Sequence, residues 1–374
     1  MKFLHTADWQ IGMKASHVGE AGKSVREQRI ETVNSVIEVA RENQVEFILI
    51  AGDTFQDNGI DRILVQKVAD TLAKAKTPVY IIPGNHDPLA PGSVWDHPVW
   101  KSTENVSILR EESAIDIPGG ILFPCPILEK HSGKDPTLWI PDTPESIRIG
   151  LAHGTVEGVP AEEPEYPIPR NAADQKSLDY LALGHWHSYA AYTSPDGAVR
   201  MAYSGTHEPT KFGERDSGNV LVVEIPEAKA TPKITPVQTG KLKWDTRIDE
   251  LREAGDLSRL RTEIESAETP EHTLLNLRVS GVIPAEEYAQ IERMLQITAS
   301  RFLHVHVDLA GIRPSPEDES WIANLPAGII RQTGSKLQEL ANPEYAGVQP
   351  EGASPEVASR ALIELYALIS EVKA

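Results

Sequence analysis

The chain has 374 residues, enough for two or three domains, with 40% hydrophobic and 24% charged side chains. A net charge of −19, from 36 basic and 55 acidic residues, excludes a protein that coats nucleic acid through its overall field. It does not exclude an enzyme whose bound cations supply local positive potential. The single cysteine, Cys125, excludes an intrachain disulfide and a cysteine-rich zinc site. No apolar run approaches the roughly 20 residues of a membrane span, and the start lacks a secretory pattern, so the expectation is a cytoplasmic protein without a membrane role.

Residues 2–6 read as a short strand ending in Ala7-Asp8-Trp9-Gln10, where Asp8 and Gln10 share one side of an extended segment. Val25, Val33, Val36, Ile37 and Ala40 fall at helical spacing and predict a helix from Ser24 to Asn43. The apolar run 45–50 is a buried strand ending in Ala51-Gly52-Asp53, and a second helix runs from Asp61 to Lys76. A third strand, 78–82, is stopped by Pro83-Gly84 and followed by Asn85-His86-Asp87. This alternation implies a parallel sheet with crossover helices, in which ligands collect beyond the carboxyl ends of the strands.

Residues 88–145 supply short strands at 106–109, 115–117 and 121–123. A strand at 146–151 leads into Ala152-His153-Gly154-Thr155, and one at 178–183 leads into Gly184-His185-Trp186-His187. Between them, 157–169 is acidic and proline-rich and reads as an exposed loop. Strands 199–204, 219–225 and 234–238 read as an antiparallel set closing a second sheet. A small strand–helix–strand unit follows, with strands 274–279 and 302–309 around a helix at 285–299. The boundaries are therefore 1–240, 241–312 and a helical tail, 313–374. In the last helix, 356–372, Ala358, Ala361, Leu362, Leu365 and Leu368 share a face read first as packing on its own domain, with a partner-binding segment as the alternative.

The polar strand tips are Asp8, Gln10, Asp53, Asn85, His153, His185 and His187: two carboxylates, two amides and three imidazoles. With one carboxylate bridging, such a set can hold two divalent ions about 3.5–4 Å apart. Having no thiolate, it suits manganese, magnesium, iron or zinc rather than copper(I) or an iron–sulfur cluster.

These blocks, Asp-X-Gln, Gly-Asp, Gly-Asn-His-Asp, His and Gly-His-X-His, occur in order across residues 5–187. The sequence resembles the calcineurin-like binuclear metallophosphoesterases. Within them it looks most like the DNA-repair nuclease branch typified by SbcD, through His5-Thr6-Ala7-Asp8-Trp9, Gly52-Asp53-Thr54-Phe55, Tyr203-Ser204-Gly205-Thr206 and Phe212-Gly213-Glu214. The resemblance implies an α/β fold: a four-layer sandwich of two mixed sheets flanked by helices, with a small α+β cap and a helical C-terminal tail. It also implies that Asp8, Gln10, Asp53 and His187 hold one ion, that Asn85, His153 and His185 complete the other, and that Asp53 bridges. A hydroxide between the ions would attack phosphorus in line, with His86 contacting the phosphate or protonating the leaving oxygen and Asp87 orienting its ring. The family usually has His where this chain has Gln10, and the branch often has His or Asp where it has Gln56. An amide oxygen is a harder, weaker ligand than imidazole, which tilts the expected metal toward manganese.

The implied function is a manganese-dependent DNA endo- or exonuclease acting on single strands or ends. Its rivals are a phosphodiesterase for small substrates such as cyclic nucleotides, and a weakly active scaffold recruiting an ATPase, helicase or ligase. A homodimer is left open. For DNA contacts, Trp95 and Trp100 are the stacking candidates, and Lys14, Lys23, Arg26, Arg29, Lys211 and Arg215 the phosphate candidates. Trp9 and Trp186 are expected to pack behind the site. His5 reads as a core histidine, and His17, His97, His131, His207 and His272 as surface or loop residues.

Overall fold

The computed structural model describes residues 1–142, 146–159, 165–252, 255–316, 320–348, 350 and 352–373. It divides into two compact units, Met1–Lys243 and Trp244–Ala374.

In the first unit, β1 (Lys2–Thr6), β2 (Phe47–Ala51), β3 (Val79–Ile82) and β4 (Val106–Ile108) pair in parallel. Helix α1 (Gly22–Glu42) crosses from β1 to β2 and α2 (Arg62–Ala73) from β2 to β3, while the single-turn α3 (Val99–Ser102) precedes β4. Asp61 caps α2 by accepting from the Ile63 amide at 2.8 Å. A second sheet contains β5 (Ile115–Ile117), β6 (Gly120–Pro124), β7 (Ile147–His153), β8 (Tyr180–Gly184), β9 (Ala190–Thr193) and β10 (Val199–Tyr203). Its central strands β6, β7, β8 and β10 are parallel, and β5 and β9 are antiparallel edges. A short helix, α4 (Ala172–Gln175), precedes β8.

Strand alternation builds the layers. In β2, Ile48 and Ile50 face α1 and α2, joining Val33, Val36, Val65 and Val68. Phe47, Leu49 and Ala51 face the other sheet, meeting Leu122, Ile149, Leu151 and Tyr180. On the far side of the second sheet, Phe123, Leu181, Leu183 and Tyr203 pack on Ile168, Ala172 and Ala173. The fold is the expected α/β sandwich of two mixed sheets flanked by helices.

One topological expectation is corrected. β11 (Asn219–Glu224) and β12 (Lys233–Gln238) belong to the first sheet, not the second. β11 lies antiparallel to β1, pairing Phe3 with Val223 and His5 with Leu221. Val220 and Val222 enter the helix-facing core, Leu221 and Val223 the inter-sheet core. A strand apolar on both faces suits the interior of either sheet, so its sequence does not choose between them.

In the second unit, β13 (Lys243–Leu251), β14 (Thr273–Ile283) and β15 (His304–Pro314) form a three-stranded sheet with β14 and β15 parallel. Helix α5 (Asp256–Glu265), the one-turn α6 (Ala285–Tyr288) and α7 (Ile291–Arg301) accompany it, and Leu257, Leu260, Ile264, Ile291 and Met294 cover Leu275 and Leu277. β13 and α5 are not anticipated by the sequence pattern; β13 carries charge along its length and leaves Ile248 exposed. Of the expected tail 313–374, Arg313 and Pro314 end β15; beyond them come α8 (Ser320–Ala323), α9 (Ile329–Ala341) and α10 (Pro355–Lys373), which belong to this same unit. α10 packs on α9 and β14, with Tyr366 edge-on to Trp321. Among the described residues, no helix is long and apolar enough to cross a membrane.

Candidate metal centre

The strand tips of both sheets meet in the first unit. The first two tips are tied together by Asp8 N donating to Gly52 O at 3.1 Å and Gln10 N to Asp53 O at 3.0 Å. Asp8, Gln10, Asp53 and His185 have φ of 54°, 47°, 51° and 108°, values that L-residues rarely adopt. Such conformations cost about 1–3 kcal/mol each and persist where the surrounding structure fixes them. Two glycines are required for the close approach. A Cβ at Gly52 would lie 2.5 Å from His153 Nδ1, and one at Gly84 2.2 Å from Asp53 Oδ1.

Asp8, Asp53 and His153 are all buried, with one potential ligand atom from each lying within 4.8 Å of the others. Asp53 Oδ2 accepts from Gln10 Nε2 at 2.8 Å, and its Oδ1 accepts from the His86 amide at 2.9 Å. His153 Nδ1 donates to Ala51 O at 2.8 Å, which turns Nε2 into the site, 3.4 Å from Asp53 Oδ1. Asn85 Oδ1 accepts from His153 Nε2 at 2.8 Å and from His185 Nδ1 at 3.2 Å. The His185 amide donates to both Asp8 oxygens at 3.0 Å. His187 Nδ1 donates to Glu214 Oε1 at 3.0 Å. The structure thus links Asp8, Gln10, Asp53, Asn85, His153 and His185 by direct contacts, while His187 interacts through charge with Asp8 and Asp53.

The family model for calcineurin-like phosphoesterases matches residues 1–189. The chain belongs to this family. YhaO of Bacillus subtilis (strain 168), described as an uncharacterized metallophosphoesterase, is 23% identical over 366 residues, spanning 94% of this chain and 80% of the relative. Among solved structures, TT1561 of Thermus thermophilus is 10% identical with a TM-score of 0.42, covering 64% of this chain and 98% of that one. A dimetal phosphatase from Danio rerio is 12% identical with a TM-score of 0.40, covering 63% of this chain and 98% of its own. As a calcineurin-like phosphoesterase, the protein is a metal-dependent hydrolase of phosphoester bonds, in a family that uses two divalent ions, and Asp8, Asp53 and His153 form a candidate site for them.

The donor set fits such ions. Burial lifts the Asp8 pKa to about 6, although His153 and His187 pull it down. Burial also opposes ionisation of Asp53, but His153 outweighs it and holds the carboxyl well below the usual range. His153 shows the reverse: burial lowers its pKa, yet Asp53 and Asp8 raise it to about 9. The pocket therefore concentrates negative charge away from water and draws a proton onto its own imidazole. A divalent cation supplies that positive charge directly, with oxygen and nitrogen donors and no thiolate.

Several assignments change. Asp87 does not orient His86: its oxygens accept from Phe55 N at 2.9 Å and Gly84 N at 2.7 Å, while His86 Nδ1 donates to Gln56 O at 3.0 Å. Burial and then the Asp53 charge lift the Asp87 pKa to about 7. Trp95 and Trp100 cannot stack on bases. They are 0% and 6% exposed, pack on Phe55, and donate to Asp87 O and Val94 O. Arg29 is not a surface cation: 1% exposed, it donates to the carbonyls of Trp9, Glu208 and Pro209. His207, expected on the surface or in a loop, lies in a loop but is buried against Trp9 and bonds Arg29 O at 2.8 Å.

Of the remaining cations, Lys14, Lys23, Arg26, Lys211 and Arg215 are exposed. Lys23 pairs with Glu27 at 3.9 Å and Arg26 donates to Lys14 O at 2.7 Å. Trp9 is buried as expected; Trp186 is half-buried, packs against the core on the far side of the second sheet as expected, and also lines a cavity of about 360 Å³ with His185, His187, Lys211, Phe212 and Glu214. Glu165 has no role in the sequence pattern. In the structure, Asn85 Nδ2 donates to Glu165 Oε2 at 2.7 Å. Residues 160–164 of the loop read at 157–169 lie outside the described residues; Glu165 to Ile168 are docked on the strand end by Thr155 N to Glu165 O at 2.9 Å and Ile168 N to Thr155 O at 2.9 Å. Only the acidic composition of that loop hints at a partner for the tips.

Proposed function

We propose that this phosphoesterase cleaves phosphodiester bonds of DNA, on single strands or at ends, with manganese as the favoured metal. The observation that carries the reading is the cavity beside His185 and His187, which joins two aromatic rings, Trp186 and Phe212, to the Lys211 cation. Aromatic surface next to a cation suits a base and its flanking phosphate, and stacking contributes about 1–3 kcal/mol per base. With a net charge of −19, attraction for a polyanion has to come from the groove and its ions rather than from the whole surface. Manganese is favoured because Gln10 brings an amide where the family usually has imidazole.

When bound, the metal pair supplies Lewis-acid polarisation of the phosphoryl group and activation of water. The protein's own contribution at the leaving oxygen is His86. Its Nδ1 proton is committed to Gln56 O, which leaves Nε2 to carry the proton that is transferred.

The test is hydrolysis of end-labelled and circular single-stranded DNA by the full chain with manganese, magnesium, iron or zinc. Cyclic nucleotide and bis(p-nitrophenyl) phosphate serve as comparison substrates. The expected result is manganese-dependent DNA cleavage that His86→Ala slows by about 10²–10⁴-fold. Lys211→Ala and Trp186→Ala should weaken DNA cleavage while sparing bis(p-nitrophenyl) phosphate. Efficient turnover of cyclic nucleotide without DNA cleavage would overturn the reading, as would binding of fewer than two ions at millimolar manganese.

A further inference from the structure

We propose that Glu165 is a positioning residue of the metal centre: its carboxylate fixes the Asn85 amide so that Oδ1 faces the ion shared with His153 and His185. Asn85 is 5% exposed, and its two amide atoms face opposite ways. Oδ1 is turned to His153 Nε2 at 2.8 Å and His185 Nδ1 at 3.2 Å, while Nδ2 donates to Glu165 Oε2 at 2.7 Å. The ends of an amide are nearly equal in size, so shape alone does not choose between them. Chemistry does, because an ionised carboxylate only accepts and therefore demands the NH2 group. Turned the other way, Asn85 would set its oxygen against Glu165 and its NH2 against the cation.

Glu165 is itself held in place. Its second oxygen accepts from His131 Nδ1, and its backbone N donates to Thr155 Oγ1 at 3.3 Å. Thr155 N returns a bond to Glu165 O at 2.9 Å, two residues beyond the ligand His153. His131 is 68% exposed, so the outer pair contributes little by charge alone. The sheltered member is the bond to Asn85. Partners of this kind set ligand orientation, and losing one typically weakens metal binding about 10–100-fold. Because Asn85 serves one ion and not the other, the loss should fall on one ion alone.

The inference rests on the two-ion centre and not on the substrate, so it is tested without DNA. Metal-stripped full-length protein is titrated with manganese alone, and stoichiometry and affinity are read by calorimetry and electron paramagnetic resonance. Wild type should take up two ions. Glu165→Ala should retain one site at wild-type affinity and weaken the other by about 10–100-fold. Glu165→Gln, whose amide oxygen can still accept from Asn85, should stay close to wild type. His131→Ala, which loosens the carboxylate without removing it, should fall between, and gives the answer if Glu165→Ala fails to fold. Unchanged affinity at both sites overturns the proposal. So does equal weakening of both, or a Glu165→Gln variant as weak as Glu165→Ala.

Discussion

At the residue scale, Asp87 illustrates how adjacency in sequence can mislead. It follows His86 directly, yet both its oxygens accept from backbone, at Phe55 N and Gly84 N. The two bonds lock the turn that carries Asn85 and His86. Asp87→Asn replaces one acceptor with an NH2 facing a buried N–H, and should cost about 1–3 kcal/mol, read as a lowered midpoint in urea. His86→Ala should leave that midpoint unchanged while reducing turnover about 10²–10⁴-fold. The meeting of the strand tips was legible from the recurrence of oxygen and nitrogen donors at strand ends, as in Asp8-X-Gln10 and His185-X-His187. The hydrogen bond each neighbour chooses depends on left-handed backbone at Asp8, Gln10 and Asp53, which no side-chain pattern announces. Glu165 was invisible for a related reason: its partner Asn85 is far away along the chain.

At the element scale, β1 carries the core histidine that the sequence anticipates, and α1 a buried cation that it does not. His5 lies in β1 between Tyr180 OH at 2.9 Å and Leu183 O at 3.1 Å, and burial lowers its pKa to about 3. The unfolded chain binds a proton at His5 near pH 6.5, and the folded protein does not until about pH 3. The stability this contributes is complete above pH 6.5 and is lost as pH falls through that window, by about 1.4 kcal/mol per pH unit. His5→Gln should flatten the dependence of unfolding free energy on pH by that slope between pH 6 and about 4. Arg29, on α1, spans to the carbonyls of Trp9, Glu208 and Pro209 and so braces the turn bearing Asp8 and Gln10. Arg29→Met leaves those acceptors buried and unpaired, and should destabilise by about 3–5 kcal/mol. It should leave the salt dependence of the proposed DNA binding unchanged, in contrast to Lys211→Ala. Helices α1 and α2 were legible from apolar spacing. The sheet that β11 joins was not, because membership is decided by what lies on each face, and β11 is apolar on both.

At the scale of the whole molecule, the two units keep separate cores. The three apolar clusters of the first draw on residues up to Val237, and that of the second begins at Leu251. All the proposed ligands belong to the first unit. A chain ending at Lys243 should therefore fold, take up two manganese ions and hydrolyse bis(p-nitrophenyl) phosphate, as calorimetry and a colorimetric assay would show. The sequence changes character near 240, and the two compact units divide at Lys243; the strand β13 just beyond was hidden by its charged residues. The pairing of β1 with β11 has a bearing on biosynthesis. The N-terminal amine reaches Ile225 O, 224 positions along the chain, at 2.9 Å. A nascent polypeptide cannot complete the sheet bearing Asp8 until that distant partner has left the ribosome, and contacts so remote in sequence form slowly. Hydrolytic competence should accordingly arrive late in translation, in one cooperative step rather than by gradual accretion.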